Sequence, residues 1–284
     1  MANKKLKAPV NIPVEKIHPF EGNPYKVLDN DEMNTLICSI QEQGILTPIM
    51  IRPIANTDDY EVISGHRRLH ATVKAGMKEV PAFIYAVTRD EAAIMLVDSN
   101  LHREHILPSE KAFAYKLKLD ALKHQGKTSA QLGQKWSVEQ IAEESSDSRS
   151  QIQRYIRLTY LIPELLDLVD EEKIALTPAV ELSYLSDEEQ YSLLGTIEEE
   201  DRTPSLSQAV RFKKLSQAGE LSDESIETIM QEDKANQKPM FKVSMERLQK
   251  VAPKVKDKDF EDFVLKACEH YYRYLQRQRN RDAR

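Results

Sequence analysis

A glycine followed closely by two adjacent arginines is the first feature of the sequence that could do chemistry. The stretch Tyr60-Glu61-Val62-Ile63-Ser64-Gly65-His66-Arg67-Arg68-Leu69-His70-Ala71 reads as a short strand that stops at Gly65 and turns into a helix ending near Gly76. Backbone N–H groups at such a turn, the positive end of the helix and the two guanidinium groups converge on one spot. That outlines an anion site suited to a phosphate chain. On these residues alone, a solvated helix start is the competing reading.

A second polar cluster, Asn100-Leu101-His102-Arg103-Glu104, falls at a break between two helices. The first is predicted over Asp90 to Asn100, and the second restarts at Pro108-Ser109-Glu110, with Ser109 as its cap, and runs to about His124. Such a cluster either caps helix ends or faces a ligand.

A third pattern lies between Lys127 and Leu161. Two capping boxes, Ser137-Val138-Glu139-Gln140 and Ser148-Arg149-Ser150-Gln151, open two short helices, with Ile141 and Ala142 inward in the first and Ile152, Tyr155 and Ile156 inward in the second. This is the period of a helix-turn-helix, although the turn Ser145-Ser146-Asp147 lacks the usual glycine. Starting from Ser148, the second helix offers Arg149, Ser150, Gln151, Gln153, Arg154 and Arg157 to phosphates or base edges. The first helix is acidic, as expected if only the second faces DNA; a plain three-helix packing unit is the alternative.

No nucleophilic triad, paired-carboxylate site, Walker loop or zinc motif accompanies these features. The histidines, among them His66, His70, His102 and His105, have no HExxH spacing. Cys38 and Cys268 lie far apart and are expected to be buried thiols.

The elements that position these residues follow from periodicity. An amphipathic helix spans Asp31 to Gln43, with cap candidates Asp29 to Asp31 and Gly44 as its stop. Strands are predicted around Val10 to Val14, with Val10, Ile12 and Val14 on one face, over Gly44 to Pro53, and over Val80 to Tyr85. Residues 162 to 218 read as helices broken at Pro163, Pro178, Gly195 and Pro204. The polar stretch 219–239 reads as a linker or a loosely packed acidic helix. Phe260, Val264, Ala267, Tyr271 and Tyr274 form a heptad-like stripe, which either packs against a helix over Met245 to Val251 or drives self-association.

The 284 residues carry 40% apolar and 30% charged side chains and a formal charge of −6. That balance excludes coating nucleic acid by bulk electrostatics, so any contact must use a local basic face. No run approaches the roughly 18 apolar residues of a membrane span. The basic N-terminus has no apolar region behind it, so a cytoplasmic protein is expected.

Taken together, Gly44-Ile45-Leu46-Thr47-Pro48-Ile49 with Arg52, then Ser64-Gly65-His66-Arg67-Arg68, then Asn100-Leu101-His102-Arg103-Glu104 with Pro108-Ser109-Glu110, then a helix-turn-helix, resemble the ParB/RepB/Spo0J family of DNA-partition proteins. The resemblance covers about residues 10 to 190. It implies an α+β N-terminal ParB-like domain (1–107), an all-α helix-turn-helix domain (108–218), a linker (219–239) and a helical C-terminal segment (240–284) capable of self-association. It also implies a dimeric clamp that binds CTP and a palindromic DNA site, associates with nucleoid or plasmid, and works beside a ParA-type ATPase. Carried over by residue, Thr47, Pro48, Ile49 and Arg52 lie along the cytosine, Gly65, Arg67 and Arg68 hold phosphates with His66 among them, and Asn100 and Arg103 complete the triphosphate and Mg2+ site, with Asn100 at the metal.

The chain departs from the family in its acids. His66 replaces the glutamate of the Gly-Glu-Arg-Arg motif, His70 stands where a further arginine is usual, and Ser99 replaces the first glutamate of Glu-Asn-Leu-Gln-Arg. Neither histidine nor serine replaces a carboxylate at a hard cation, so binding without efficient CTP hydrolysis is expected. Asp98 and Glu104 are the nearby carboxylates that could substitute. A helix-turn-helix transcriptional regulator on the same scaffold, or a ParB-type nuclease, are the alternative functions.

Overall fold

The computed structural model describes residues 8–101, 103, 105–125, 138–232, 249–250, 252, 255 and 260–282. The chain divides into two compact units, Met1–Glu232 and Asp233–Arg284.

The first unit begins with a five-stranded mixed sheet. Its strands are β1 (Val10–Pro13), β2 (Ile17–His18), β3 (Ile49–Pro53), β4 (Tyr60–Ser64) and β5 (Glu79–Ile84), in the order β1-β5-β3-β4-β2. The two outermost strands are neighbours in sequence, joined only by the 3-10 turn Val14–Lys16. In a flat sheet they would lie about 19 Å apart. Four residue steps reach at most about 14 Å, so the sheet has to curl.

Strand β4 is buried on both faces, because successive side chains point to opposite sides. Val62 joins Ile12, Ile49, Ile51 and Val80 in one cluster, while Ile63 joins Phe20, Tyr25, Leu96 and Val97 in another. The expected face of Val10, Ile12 and Val14 is only partly realised: Ile12 is buried, Val10 is exposed at the edge, and Val14 falls in the 3-10 turn.

Helix α1 (Asp31–Gln43) has the predicted bounds, capped by Asn30, whose side chain accepts the Met33 N–H, and stopped at Gly44. Helix α2 (His66–Lys74) packs against it. Helix α3 (Arg89–Asp98) opens with a Thr88–Glu91 capping box and lies on β4.

Helix α4 (Pro108–Gln125) connects this layer to a helical bundle. The bundle comprises helical residues 138–144 (α5), α6 (Arg149–Leu158), α7 (Pro163–Asp170), α8 (Leu176–Leu182), α9 (Asp187–Glu200), α10 (Leu206–Ala218) and α11 (Asp223–Gln231). Its core gathers Leu158, Leu165, Leu182, Leu193, Ala209 and Phe212.

Several expectations are corrected. Ser109 is not the cap of α4: its N–H and hydroxyl both donate to Asp170 on α7. Gly195 does not break α9, which runs through it between firm caps. Pro178 sits in the first turn of α8, where its missing N–H costs nothing. Of the two readings of 219–239, a linker or a loosely packed acidic helix, the described part is largely the helix α11, but it is not loosely packed: Ile226, Ile229 and Met230 are buried in the bundle core. Both cysteines are exposed rather than buried.

The second unit contains α12 (Phe260–Asp282). Tyr271 and Tyr274, two members of the predicted stripe, stack with ring centroids 6.3 Å apart and are exposed. The expected capping residue Ser137, the stretch 233–239 and most of the Met245–Val251 helix lie outside the described residues. No helix among the described residues is long and apolar enough to cross a membrane.

Candidate functional site

The turn from β4 into α2 depends on Gly65. Its φ is +106°, in the left-handed region, and a Cβ built there would lie 2.7 Å from Ile49 Cγ2 and 3.1 Å from Arg68 Nη2. Only glycine fits both the backbone angle and the space. No side chain caps the start of α2 and no acid lies in its first turn, so its leading N–H groups keep their positive end for a ligand.

From the predicted set, Gly65, His66, Arg67, Arg68, Asn100 and Arg103 line one cleft of about 230 Å³. Asn23, Tyr25, Lys26, Val27 and Ser64 complete its lining. The cations differ in freedom. Arg68 is fixed: Nη1 donates to the carbonyls of Thr47 and Pro48, and burial lowers its pKa. Arg67 pairs with the exposed Glu32 at 3.0 Å, a contact weak enough to be exchanged for a ligand. The Arg103 side chain has no ion pair among the described residues. Asn100 donates through Nδ2 to the Leu96 carbonyl at 2.8 Å, which leaves its Oδ1 able to accept or ligate.

His66 is a neutral acceptor. Its Nε2 receives the Phe20 N–H at 3.3 Å, and burial, partly opposed by Glu61, pushes its pKa down to about 4. The hydrogen bond uses the nitrogen that a general base would need. Burial raises the pKa of Tyr25 well above its usual value, so its hydroxyl stays protonated and donates to the Val97 carbonyl.

Four predicted residues do not line the cleft. Thr47 and Pro48 serve through their carbonyls as the seat of Arg68, and Ile49 is buried under Gly65. Arg52 lies opposite Glu61 in the β3–β4 register and bonds it through Nε at 2.7 Å, both side chains being largely buried. A buried pair formed across neighbouring strands leaves Arg52 unavailable to a base.

The carboxylates named as substitutes fare no better. Asp98 is bound to Lys118, and Glu104 lies outside the described residues. Ser99 donates to the Leu96 carbonyl at 2.9 Å, tying off the end of α3. Among the described residues no group of three or more His, Cys, Asp or Glu side chains comes together. Among the described residues the cleft therefore fits a polyanion but offers no cluster of carboxylates for Mg2+; Asn100 Oδ1 is the predicted donor in place.

The helix-turn-helix is held to α4 by charge. Lys118, fully buried, bonds Asp98 from α3 and Glu144 from α5. Lys111 pairs with Asp147 at 3.0 Å, and the Tyr115 hydroxyl donates to the same carboxylate at 2.6 Å. Of the acids of α5, Glu144 is thus an anchor, and in the glycine-free turn Asp147 fixes the bend.

On α6, Ser148 accepts the Gln151 N–H at 3.3 Å, forming its half of the predicted box. Ser148, Ser150 and Gln153 are exposed, while Arg149, Gln151 and Arg154 are half-buried. Arg149 Nε is buried without a hydrogen-bond partner among the described residues, and Arg154 donates to Thr177. Arg157 is a correction. Its guanidinium lies between the rings of Tyr160 and Tyr184, 4.5 and 3.9 Å from their centroids, and bonds the hydroxyl and carbonyl of Ser183. It braces α6 against α8 instead of standing free.

Sequence reasoning missed Asn23, Tyr25 and Lys26. They lie in a proline-broken loop without periodicity; a lysine and two hydrogen-bonding side chains grouped beside Pro24 were the available signal.

Residues 2–101 match the family model of the ParB N-terminal domain, and residues 108–210 that of the ParB HTH domain. The chromosome-partitioning protein Spo0J of Thermus thermophilus is 31% identical over 202 residues, covering 71% of this chain and 70% of that protein. The nucleoid occlusion protein of Listeria innocua is 31% identical over 191 residues, covering 67% and 63%. A probable chromosome-partitioning protein ParB of Coxiella burnetii is 33% identical over 158 residues, covering 56% and 50%; the chain thus spans less than two thirds of these last two relatives. Among solved structures, C-terminally truncated ParB from Caulobacter crescentus complexed to the centromeric parS site is 21% identical, covers 78% of this chain and 98% of that one, and has a TM-score of 0.42. The same protein complexed with CTP-gamma-S is 23% identical, covers 68% and 99%, and has a TM-score of 0.33. With both domains matched in order and a relative of 31% identity covered over 70% of its length, the chain belongs to the Spo0J/ParB family of chromosome-partitioning proteins.

Proposed function

We propose that this chain is a site-specific DNA-binding protein of the partition type whose N-terminal cleft binds CTP. The observation that carries the reading is the Gly65 turn, which puts the open end of α2 and the guanidinium groups of Arg67, Arg68 and Arg103 around one cleft. Fixed N–H groups plus three cations suit a triphosphate better than a single phosphate. Family membership supplies the base: ParB of Caulobacter crescentus has been seen complexed with CTP-gamma-S.

In this reading Arg68 is a preset phosphate contact, Arg67 leaves Glu32 to become one, and Asn100 Oδ1 faces the phosphate end. Magnesium would compensate phosphate charge, but the cleft residues give it little hold. With His66 neutral and engaged by Phe20, no cleft side chain among the described residues is placed to activate water, so binding outlasts turnover. DNA is read by α6 through Ser150, Gln151, Gln153, Arg149 and Arg154, positioned by α4. The apolar stripe of α12 supports a homodimer, and a dimer reads a palindrome.

Binding of CTP, ATP and GTP measured with and without a partition-site DNA, alongside phosphate release, tests this. The expected result is a preference for CTP with slow release or none. No preference for CTP under any condition would refute the nucleotide reading and leave a helix-turn-helix regulator.

A further inference from the structure

We propose that α12 joins four copies of this chain rather than two: beside the stripe that pairs two chains it carries a second apolar stripe, which a second pair of α12 helices covers. The inference rests on reading the first stripe, Phe260, Val264, Ala267, Tyr271 and Tyr274, as the homodimer seam.

One residue further along, Leu265, Cys268, Tyr272 and Leu275 repeat the same three- and four-residue spacing. An α-helix turns about 100° per residue, so the two stripes face directions about 100° apart. In a four-helix bundle each helix touches two neighbours lying at about a right angle to one another, which calls for two apolar stripes set this way. A two-stranded coiled coil needs only one.

The charges of α12 agree. Asp262, Lys266, Glu269 and Arg273 form a stripe of their own, in which Lys266 bonds Asp262 at 2.6 Å and Arg273 lies 3.7 Å from Glu269. All four are well exposed, and these pairs mark the face that stays in water. In a two-stranded coil the positions flanking the seam usually carry charges that pair across it. Between residues 263 and 275 the flanks are instead Phe263 and His270 on one side and Cys268 and Leu275 on the other. Leu265 and Tyr272, 62% and 64% exposed, point away from the seam, so pairing two chains leaves them in water.

The occupant that fits is another α12. Both stripes mix aliphatic and aromatic residues, and they end together at Tyr274 and Leu275, beyond which the helix is polar from Gln276 to Asp282. An identical helix therefore matches the second stripe in length and character. Each contact is then isologous, and the assembly closes as a dimer of dimers.

The test is the mass of the full chain in solution, by light scattering and sedimentation equilibrium over a wide range of concentration. Wild type is compared with the double variant Leu265→Glu, Tyr272→Glu, and circular dichroism checks that helix content holds. Should the charged pair unwind α12, Leu265→Gln with Tyr272→Gln gives the same readout with neutral helix formers. Wild type is expected at four chains and the variant at two, a halving of mass. A wild type that stops at two chains overturns the second stripe and leaves the dimer reading standing. A wild type that stays a single chain overturns the dimer reading and this inference with it. A variant that keeps four chains overturns the assignment to Leu265 and Tyr272, and one that falls to a single chain overturns the separation into two stripes.

Discussion

Charging His66 should cost the folded chain stability in a defined pH window. In the native state Nε2 accepts the Phe20 N–H at 3.3 Å, and burial moves the ring pKa from 6.5 to about 4. An imidazolium has no acceptor nitrogen, so the proton that charges the ring also removes this contact. The unfolded chain takes up the proton near pH 6.5 and the folded chain only near pH 4. Stability from this group is therefore complete above about pH 6.5 and is lost as pH falls toward 4. At about 1.36 kcal/mol per pH unit, the loss approaches about 3 kcal/mol at the acid end. Urea unfolding from pH 4.5 to 8 should show it as a difference between wild type and His66→Gln, whose amide oxygen can accept the Phe20 N–H without titrating. The variant should lack most of that acid-side loss, and ring-proton NMR should place the His66 titration below pH 5. A ring that titrates near 6.5, or the same pH slope in both proteins, would refute the reasoning.

Gly65→Ala should lower stability by about 2–4 kcal/mol, because the new Cβ meets Ile49 and the backbone stays at a strained positive φ; a thermal melt within error of wild type would show that the turn has another shape. Lys118→Met keeps the buried stem but unties Asp98 and Glu144. Both carboxylates are nearly half exposed and can be hydrated, so the expected loss is about 1–3 kcal/mol, below that for breaking a fully buried pair. The same change should release the Glu144 carboxyl, which Lys118 holds below the usual carboxylate range, and carboxyl NMR reads this as an upward shift. Arg157→Ala should cost about 1–2 kcal/mol through its lost aromatic and Ser183 contacts, while Arg154→Ala should stay within about 0.5 kcal/mol, weaken DNA binding and leave nucleotide binding intact. Equal loss of DNA and nucleotide binding in Arg154→Ala would mean that α6 is not the reading helix.

What was legible in the sequence is what local rules determine. Helix α1 was bounded to the residue because an Asx cap and a glycine stop flank a clear period. Gly65, Arg67, Arg68, Asn100 and Arg103 meet as expected, because strand, turn and helix break were each marked by residue type. What failed depended on partners distant in sequence. Nothing around Arg52 indicates that strand register sets Glu61 opposite it, and nothing around Arg157 says that Ser183 and Tyr184 will close over it. The Lys26 loop has no period to read. Helix α11 was legible as one of two readings of 219–239, but the polar residues between Ile226, Ile229 and Met230 hid how firmly it packs.

The short turn Val14–Lys16, which forces the sheet to curl, also bears on how the chain is made. Residues 10–18 supply both edges of the sheet, yet β2 pairs with β4 and β1 with β5, whose residues are translated some tens of positions later. Segments that leave the ribosome first must wait for their partners, and such distant pairings form slowly. Once made, they protect the sheet at both ends, since β1 closes with Pro13 and β2 is only two residues long, which leaves little edge for another chain to extend. An expression fragment that begins after residue 18 would expose β4 and β5 as edges together, and self-pairing of those strands, rather than simple loss of stability, is the failure it invites.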